Sequence, residues 1–137
     1  MKNIILLFVL ISSLWAAKID DFSKKNSYFR DYNSALVIAK KEHKKIMLVM
    51  VADFCPWCKK FERKTLEHED IQKLVKQNFI PVIVDNYRDK NNYPKKFATS
   101  ALPTVYFIDS NTQRSAIKST LYIKKSEFLK IIKDAIK

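Results

Sequence analysis

A pair of cysteines follows directly on an unbroken apolar run, and this junction restricts the possible folds of the chain strongly. The sequence Cys55-Pro56-Trp57-Cys58 comes immediately after the apolar residues and short turn of the segment 46–54. A short continuous run rich in β-forming residues is typical of a central strand that is covered on both faces. Proline is well suited to the first position of a helix. The junction therefore predicts a buried strand, a turn with Cys55 at or near the N-cap, and a helix that contains Cys58.

The predicted position of each cysteine gives it a different chemistry. Unpaired N–H groups and the dipole at a helix N-terminus stabilise a thiolate, so Cys55 is the expected reactive thiol. Lys59 and Lys60 add positive charge in the same turn. Cys58 lies one turn further into the helix and should be shielded from solvent. We expect Cys55 to attack a substrate disulfide and Cys58 to resolve the mixed disulfide that results.

Two other uses of the cysteines compete with this interpretation. An inert stabilising disulfide explains the spacing poorly, because joining residues this close closes a tiny loop and removes little chain entropy. A zinc site would need two more ligands, and the two histidines of the chain, His43 and His68, lie at predicted helix ends as ordinary surface residues. We therefore predict redox chemistry, with no metal site and no cofactor.

Hydrophobic periodicity divides the rest of the chain into one α/β domain of order α-β-α-β-α-β-β-α. The predicted strands are residues 46–52, 80–85, 104–108 and 115–123. The predicted helices are residues 31–45, 59–66, 70–79, 93–98 and 126–137, of which 59–66 and 70–79 together fill one place in that order. Residues 18–30 are expected to form a polar lead-in arm, and Ser126 is expected to cap the last helix. Strands separated by helices predict parallel pairing, and the closing hairpin predicts an antiparallel edge.

The N-terminus has the pattern of a secretory signal peptide. A positively charged start precedes an apolar run at residues 4–11 and then small residues, although Trp15 makes the cleavage site imperfect. The run is shorter than the roughly 20 residues that a membrane span needs. We expect a signal peptide at residues 1–17 and a single domain at residues 18–137, with a retained membrane anchor as the alternative. Export would place the cysteines where disulfides persist.

The charge of the chain bears on its partners. Lys and Arg number 26 against 14 Asp and Glu, which gives a formal net charge of +12 at pH 7. These lysines are expected to form a solubilising surface, and the alternative is that they steer the protein toward acidic partner proteins or anionic lipid. Nucleic acid is disfavoured, because no basic-aromatic motif is present. No dimerisation domain is visible, so a self-sufficient isomerase is disfavoured, and we expect a monomer.

Residues 51–62, Val-Ala-Asp-Phe-Cys-Pro-Trp-Cys-Lys-Lys-Phe-Glu, resemble the active-site segment of the thioredoxin superfamily. The pattern is most similar to the thioredoxin-like domain of disulfide reductases of the DsbD type, and the resemblance covers roughly residues 31–137. It implies a thioredoxin fold, in which helices flank a central mixed sheet, and a periplasmic thiol:disulfide oxidoreductase. It also implies protein disulfides and thiols as substrates, with a membrane electron donor such as a DsbD-type reductase as the redox partner.

A proline before the third predicted strand extends the resemblance. Thioredoxin-like proteins have a cis-proline that faces the cysteines at the position where Leu102-Pro103 stands here. The resemblance implies that Pro103 is cis, a conformation that costs little only before proline, and that the backbone of Leu102 pairs with an extended substrate. Pro56 and Trp57 complete the implied substrate-binding set, because their turn faces solvent. Apart from Phe54 and Trp57, the aromatic residues are expected in the core.

The sequence departs from the thioredoxin pattern at the proton acceptor. The buried acid that thioredoxins carry upstream of the first cysteine is replaced by Val49 here. The lysine that partners this acid in thioredoxins is replaced near Pro81. Glu62 lies one helical turn beyond Cys58 and matches an acidic position of the DsbD-like domain. We hypothesise that Glu62 tunes or deprotonates Cys58, while the alternative is a solvated helix residue in an ion pair. Asp53 is a weaker candidate for the same role.

The direction of electron flow stays open at this point. Oxidants of the DsbA type resemble this fold but insert a large helical domain for which residues 86–102 are too few. We therefore expect a reductant or electron carrier. A disulfide donor is one alternative, since Pro56-Trp57 and the basic surroundings could raise the reduction potential. A binding or chaperone module without redox turnover is the other.

Overall fold

Four strands and five α-helices make up the part of the chain that the computed structural model describes, residues 19–137. The signal peptide predicted at residues 1–17 lies outside it. The elements are a helix α1 over residues 19–26, α2 (Tyr32–Glu42), β1 (Lys45–Val51), α3 (Pro56–Phe61), a π-helical turn (Glu62–Leu66), α4 (Glu69–Asn78), β2 (Phe79–Asp85), a 3₁₀ turn (Lys95–Phe97), β3 (Thr104–Ile108), β4 (Ser115–Thr120) and α5 (Lys125–Ile136). No helix within this range is long and apolar enough to cross a membrane.

The strands form one mixed sheet in the order β2-β1-β3-β4. The predicted parallel pairing of β1 with β2 and the predicted antiparallel hairpin of β3 with β4 are both confirmed. The parallel pairing expected for β3 is wrong, because β3 runs antiparallel to β1 with Thr104 opposite Met50. The connection explains the difference. Residues 86–103 contain a 3₁₀ turn in place of the helix predicted at residues 93–98, and a parallel return usually needs an α-helix that runs back along the sheet.

β1 is the centre of the sheet and is buried on both of its faces. On one face Met47, Val49 and Val51 join a core with side chains of α3, α4 and α5. On the other face Ile46, Leu48 and Met50 join a core with α2 and the segment before β3. This two-sided burial explains the unbroken apolar run. Each such side chain stabilises the fold by roughly 1.5–3 kcal/mol relative to an exposed position.

The segment predicted as a polar lead-in arm is helical over residues 19–26, so that expectation is wrong. Ile19 and Phe22 lie on one face of α1 and are buried in the same core as α3. Phe22 meets the ring of Tyr28 edge-on, with 5.1 Å between ring centroids. Phe29 then adds a short parallel bridge along the free edge of β2, where its N–H donates to the carbonyl of Pro81 at 2.8 Å.

The end of β4 and the start of α5 also differ from the prediction. β4 ends at Thr120, because Leu121 adopts a left-handed backbone (φ 67°) and its N–H donates to the carbonyl of Pro103 at 2.7 Å. The chain therefore leaves the sheet earlier than residue 123. α5 begins one residue before Ser126, with Lys124 at the cap position, so Ser126 is not the N-cap.

Candidate active site

The two cysteines lie between the end of β1 and the first turn of α3. Cys55 occupies the N-cap with an extended backbone (φ −113°, ψ 99°), and its Sγ accepts a hydrogen bond from the N–H of Cys58 at 3.1 Å. Pro56 is the first residue of the helix, where its missing N–H leaves no bond unmade. The two sulfurs form a disulfide with 5.1 Å between the Cα atoms. Cys55 is half-buried and Cys58 is fully buried, so an attacking group reaches the sulfur of Cys55 first.

The segment before β3 lies against this junction. The Leu102–Pro103 peptide bond is cis. Thr104, the next residue, pairs with Met50 near the end of β1, which places the proline at the same end of the sheet as the disulfide. Leu102 is half-buried and packs against both cores.

An apolar groove of about 270 Å³ extends along this surface, lined by Trp57, Leu102, Leu121 and Tyr122. Trp57, predicted to face solvent, is 56% exposed. Its ring lies 5.5 Å from that of Tyr122, centroid to centroid. The groove thus joins two of the predicted substrate-binding residues to a loop that the sequence interpretation did not include.

Glu62 is buried where α3 ends and the π-helical turn begins. Its backbone N–H donates to the carbonyls of Cys58 and Lys59, which fixes it one turn beyond the inner cysteine. Oε2 lies 3.4 Å from Nζ of Lys59, whereas Oε1 is buried with no hydrogen-bond partner in the described chain. Burial raises the pKa of Glu62, and the nearby ammonium of Lys59 opposes that rise in part. Glu62 is therefore not a solvated residue, although it forms the ion pair that this interpretation expected.

Tyr28 belongs to the same buried region. Its hydroxyl is buried and has no hydrogen-bond partner among residues 19–137. Burial raises the pKa of this hydroxyl, and the carboxylates of Glu62 and Glu67 raise it further. Tyr28 precedes the segment that resembles thioredoxins, so the resemblance gave no signal for it.

Asp53, the second carboxylate considered, is also buried, at the end of β1. Its backbone N–H donates to Oδ2 of Asp85 at 3.0 Å, and its side chain forms an ion pair with Arg88. Oδ1 of Asp53 has no partner in the described structure. The sequence interpretation missed Asp85 and Arg88. The available signal was that parallel strands end at the same edge, which brings Asp85 next to Val51.

The two positions that depart from the thioredoxin pattern hold no charge in the structure either. Val49 is fully buried opposite Ile83, and Pro81 lies opposite Met47.

The expectation that the remaining aromatic residues are in the core is wrong for Tyr87, which is 55% exposed. Tyr122 is half-buried, packs against the core and also lines the groove.

Comparison with known proteins gives one family. The family model described as a thioredoxin-like domain matches residues 32–136. The thiol:disulfide interchange protein DsbD of Yersinia pestis is 29% identical over 96 residues, which are 68% of this chain and 16% of that protein. The chain therefore spans a small part of the length of such relatives.

Solved structures with the same fold agree with this family. The oxidised C-terminal domain of Neisseria meningitidis DsbD superposes with a TM-score of 0.64 at 22% identity, covering 79% of this chain and 98% of that one. A thioredoxin from Thermus thermophilus gives 0.68 at 17% identity, covering 78% and 85%. The predicted thioredoxin fold, with helices around a mixed sheet, is confirmed.

Proposed function

The chain belongs to the family of thioredoxin-like domains, and on that premise we propose that it is a thiol:disulfide oxidoreductase that reduces protein disulfides or relays electrons. The observation that carries the proposal is the Cys55–Cys58 pair itself: one half-exposed sulfur at a helix N-cap and one buried sulfur behind it. This arrangement supplies an attacking thiolate and a resolving thiol that only the attacking cysteine reaches.

The reduction of a substrate follows two exchanges that balance in atoms and electrons. In the reduced protein the thiolate of Cys55 attacks one sulfur of the substrate disulfide, and the other substrate sulfur leaves as a thiolate that takes up a proton. Cys58 then loses its proton and attacks the sulfur of Cys55, which releases the second substrate thiol. Two electrons pass to the substrate, and the protein ends with the Cys55–Cys58 disulfide. A dithiol donor restores the reduced form by the reverse sequence.

We assign to Glu62 the role of accepting the proton that the Cys58 thiol loses. This carboxyl lies one turn away, it is buried, and its raised pKa brings it closer to neutral pH, where acid–base groups work best. Its Oε1, which has no partner among residues 19–137, leaves room for a hydrogen bond to a thiol or to a water. Asp53 is the weaker candidate, because its side chain is already paired with Arg88.

Substrate binding is assigned to Pro56, Trp57, Leu102 and Pro103. Trp57 is exposed beside the disulfide, and Leu102 lines the same groove. An extended substrate segment would place its backbone along Leu102 and a side chain against Trp57. Peptides are recognised in this way when a short stretch of free backbone adjoins an apolar pocket.

The remaining assignments concern the cell. We propose that the protein is exported to the periplasm through residues 1–17, acts as a monomer and receives electrons from a membrane donor such as a DsbD-type reductase. The similarity to DsbD and the pattern of the first residues support this assignment. Retention of the first segment as a membrane anchor is the alternative, and mass determination of the protein from cell envelopes distinguishes the two.

The deciding measurement is the reduction potential of the Cys55–Cys58 pair, obtained by equilibration with glutathione or dithiothreitol buffers. A value of roughly −200 mV or lower supports a reductase or electron carrier. A value near −120 mV, about that of strong oxidants, would reverse the assignment to a disulfide donor.

A turnover assay separates redox function from binding alone. We expect the protein to catalyse the reduction of insulin disulfides by dithiothreitol, and Cys55→Ser to abolish that catalysis. Absence of catalysis in the wild-type protein would favour a binding or chaperone module.

A further inference from the structure

Lys60 occupies an unusual position at the rim of the groove. Its Nζ lies 5.0 Å from the ring centroid of Trp57 and 4.9 Å from that of Tyr122. The ammonium therefore contacts both aromatic rings at once, within the distance at which a cation is attracted to a ring face. Trp57 and Lys60 share a face of α3, because they stand three residues apart in the helix.

The loop that carries Tyr122 is held from two sides. The N–H of Leu121 donates to the carbonyl of Pro103 at 2.7 Å, and the hydroxyl of Thr65 donates to the carbonyl of Ile123 at 2.9 Å. These bonds tie the loop to the cis-proline segment and to the π-helical turn. The wall formed by Tyr122 is therefore built into the fold, and the ammonium that contacts both rings is placed before any ligand arrives.

The charge of Lys60 has no acidic partner in the described part of the chain. None of the ion pairs formed within residues 19–137 includes it. Lys59, its neighbour, pairs with Glu62 instead. Lys59 thus forms an ion pair with the buried carboxylate of Glu62, whereas the ammonium of Lys60 lies at the edge of an apolar groove.

We propose that Lys60, Trp57 and Tyr122 select substrates that carry a carboxylate next to an apolar side chain beside the reactive disulfide. This inference rests on the proposed function and names the substrate class of the same site. The apolar side chain fills the groove lined by Trp57, Leu102, Leu121 and Tyr122, and the Asp or Glu of the substrate pairs with Lys60. The preferred occupant is an extended acidic segment of a partner protein, which matches the net charge of +12.

The test uses two synthetic peptides that each contain one disulfide and one adjacent leucine. They differ only in whether the flanking residues are Glu or Lys. The measured quantity is the second-order rate constant for reduction of each peptide by the reduced protein. In the wild type we expect the Glu peptide to react about fivefold to tenfold faster at low ionic strength. We expect the ratio to shrink in about 0.5 M salt, where exposed charges are screened.

Lys60→Gln is compared with Lys41→Gln, which removes the same charge from an exposed position in α2, on the other face of the sheet. The ratio between the two peptides is the readout, because removal of Lys60 also changes the electrostatics of the Cys55 thiolate. We expect Lys60→Gln to reduce the ratio to within about twofold and Lys41→Gln to retain it. Equal ratios in the two variants would assign the preference to overall charge and overturn the proposal.

A binding measurement without thiol–disulfide exchange tests this inference independently of the proposed function. The same peptides with both cysteines replaced by serine are titrated against the oxidised protein, and tryptophan fluorescence reports binding. Tighter binding of the Glu peptide that is lost in Lys60→Gln supports the surface even if the protein catalyses no turnover. If the protein reduces both peptides but prefers neither of them, in rate or in binding, the proposed selection by Lys60, Trp57 and Tyr122 is wrong. The oxidoreductase assignment then still stands.

Discussion

Lys59 and Lys60 are neighbours in the sequence, yet their side chains contact different partners in different environments. Lys59 reaches inward to Glu62, whose side chain is 6% exposed, in the region behind Cys58. Lys60 reaches outward to Trp57 and Tyr122, beside the exposed groove. Burial makes the inner charge pair important for proton affinity, because a buried carboxyl resists ionisation. The outer charge is exposed, so the effect that we propose for it on recognition is expected to be smaller and to depend on salt.

The largest expected effect on activity concerns the exposed Cys55 and the buried Cys58. We expect Cys55→Ser to lower disulfide reduction by at least about a thousandfold, as when a nucleophile is removed from other enzymes. Cys58→Ser should still attack a substrate but should stop at the mixed disulfide. Mass spectrometry after mixing each variant with a disulfide peptide measures the adduct. An adduct on Cys55→Ser rather than on Cys58→Ser would exchange the two roles.

The next effect tests whether the inner side handles the proton. We expect Glu62→Gln to slow resolution of the mixed disulfide by roughly tenfold to a hundredfold near neutral pH, since amides do not accept the proton. Stopped-flow measurement across pH should show the loss of one ionisation from the rate profile. The matched control is Glu67→Gln, a nearby carboxyl with a more exposed side chain. An unchanged profile in Glu62→Gln would remove Glu62 from the mechanism.

Stability gives the same carboxyl a second test. Because the pKa of Glu62 is raised above its ordinary value of 4.5, folding favours the protonated form. The stability that this provides is present below the ordinary pKa and is lost as pH rises through the raised one. We expect wild-type oxidised protein to lose stability relative to Glu62→Gln in urea unfolding as the pH rises above the ordinary pKa of 4.5 and through the raised one. A constant difference would mean that Glu62 titrates as it does in the unfolded chain.

The contrast between local and tertiary signals explains what the sequence predicted. The buried strand and the capping position of Cys55 follow from the apolar run and from Pro56, which act within a few residues. The contact of Lys60 with Tyr122 depends on the hydrogen bond from Leu121 to Pro103, which joins segments far apart in the chain. No local pattern records such a bond. The antiparallel course of β3 was missed for the same reason, because the path of its connection decides it.

A third, smaller effect extends the comparison to the other buried carboxylate. The side chain of Asp53 is 2% exposed and pairs with Arg88, which is 53% exposed. Arg88→Gln leaves this carboxylate without its cation, and we expect a loss of about 1–2 kcal/mol of stability, a range lowered for the exposure of Arg88. Urea unfolding measures it, with the exposed Arg114 replaced by Gln as the control. Addition of Asp53→Asn should restore part of the loss, and strict additivity would contradict the pairing.

The smallest effect is expected at Tyr122, and it sharpens the outer half of the comparison. Tyr122→Phe keeps the ring that contacts Lys60, so the preference for the acidic peptide should remain. Tyr122→Ala removes the ring and frees the ammonium to move, which should lower the preference by about twofold to fivefold, as expected for an exposed cation–π contact. The rate ratio of the two peptides measures both variants. If Tyr122→Phe lost as much as Tyr122→Ala, the hydroxyl rather than the ring would be responsible, and the aromatic placement of Lys60 would not explain the selectivity.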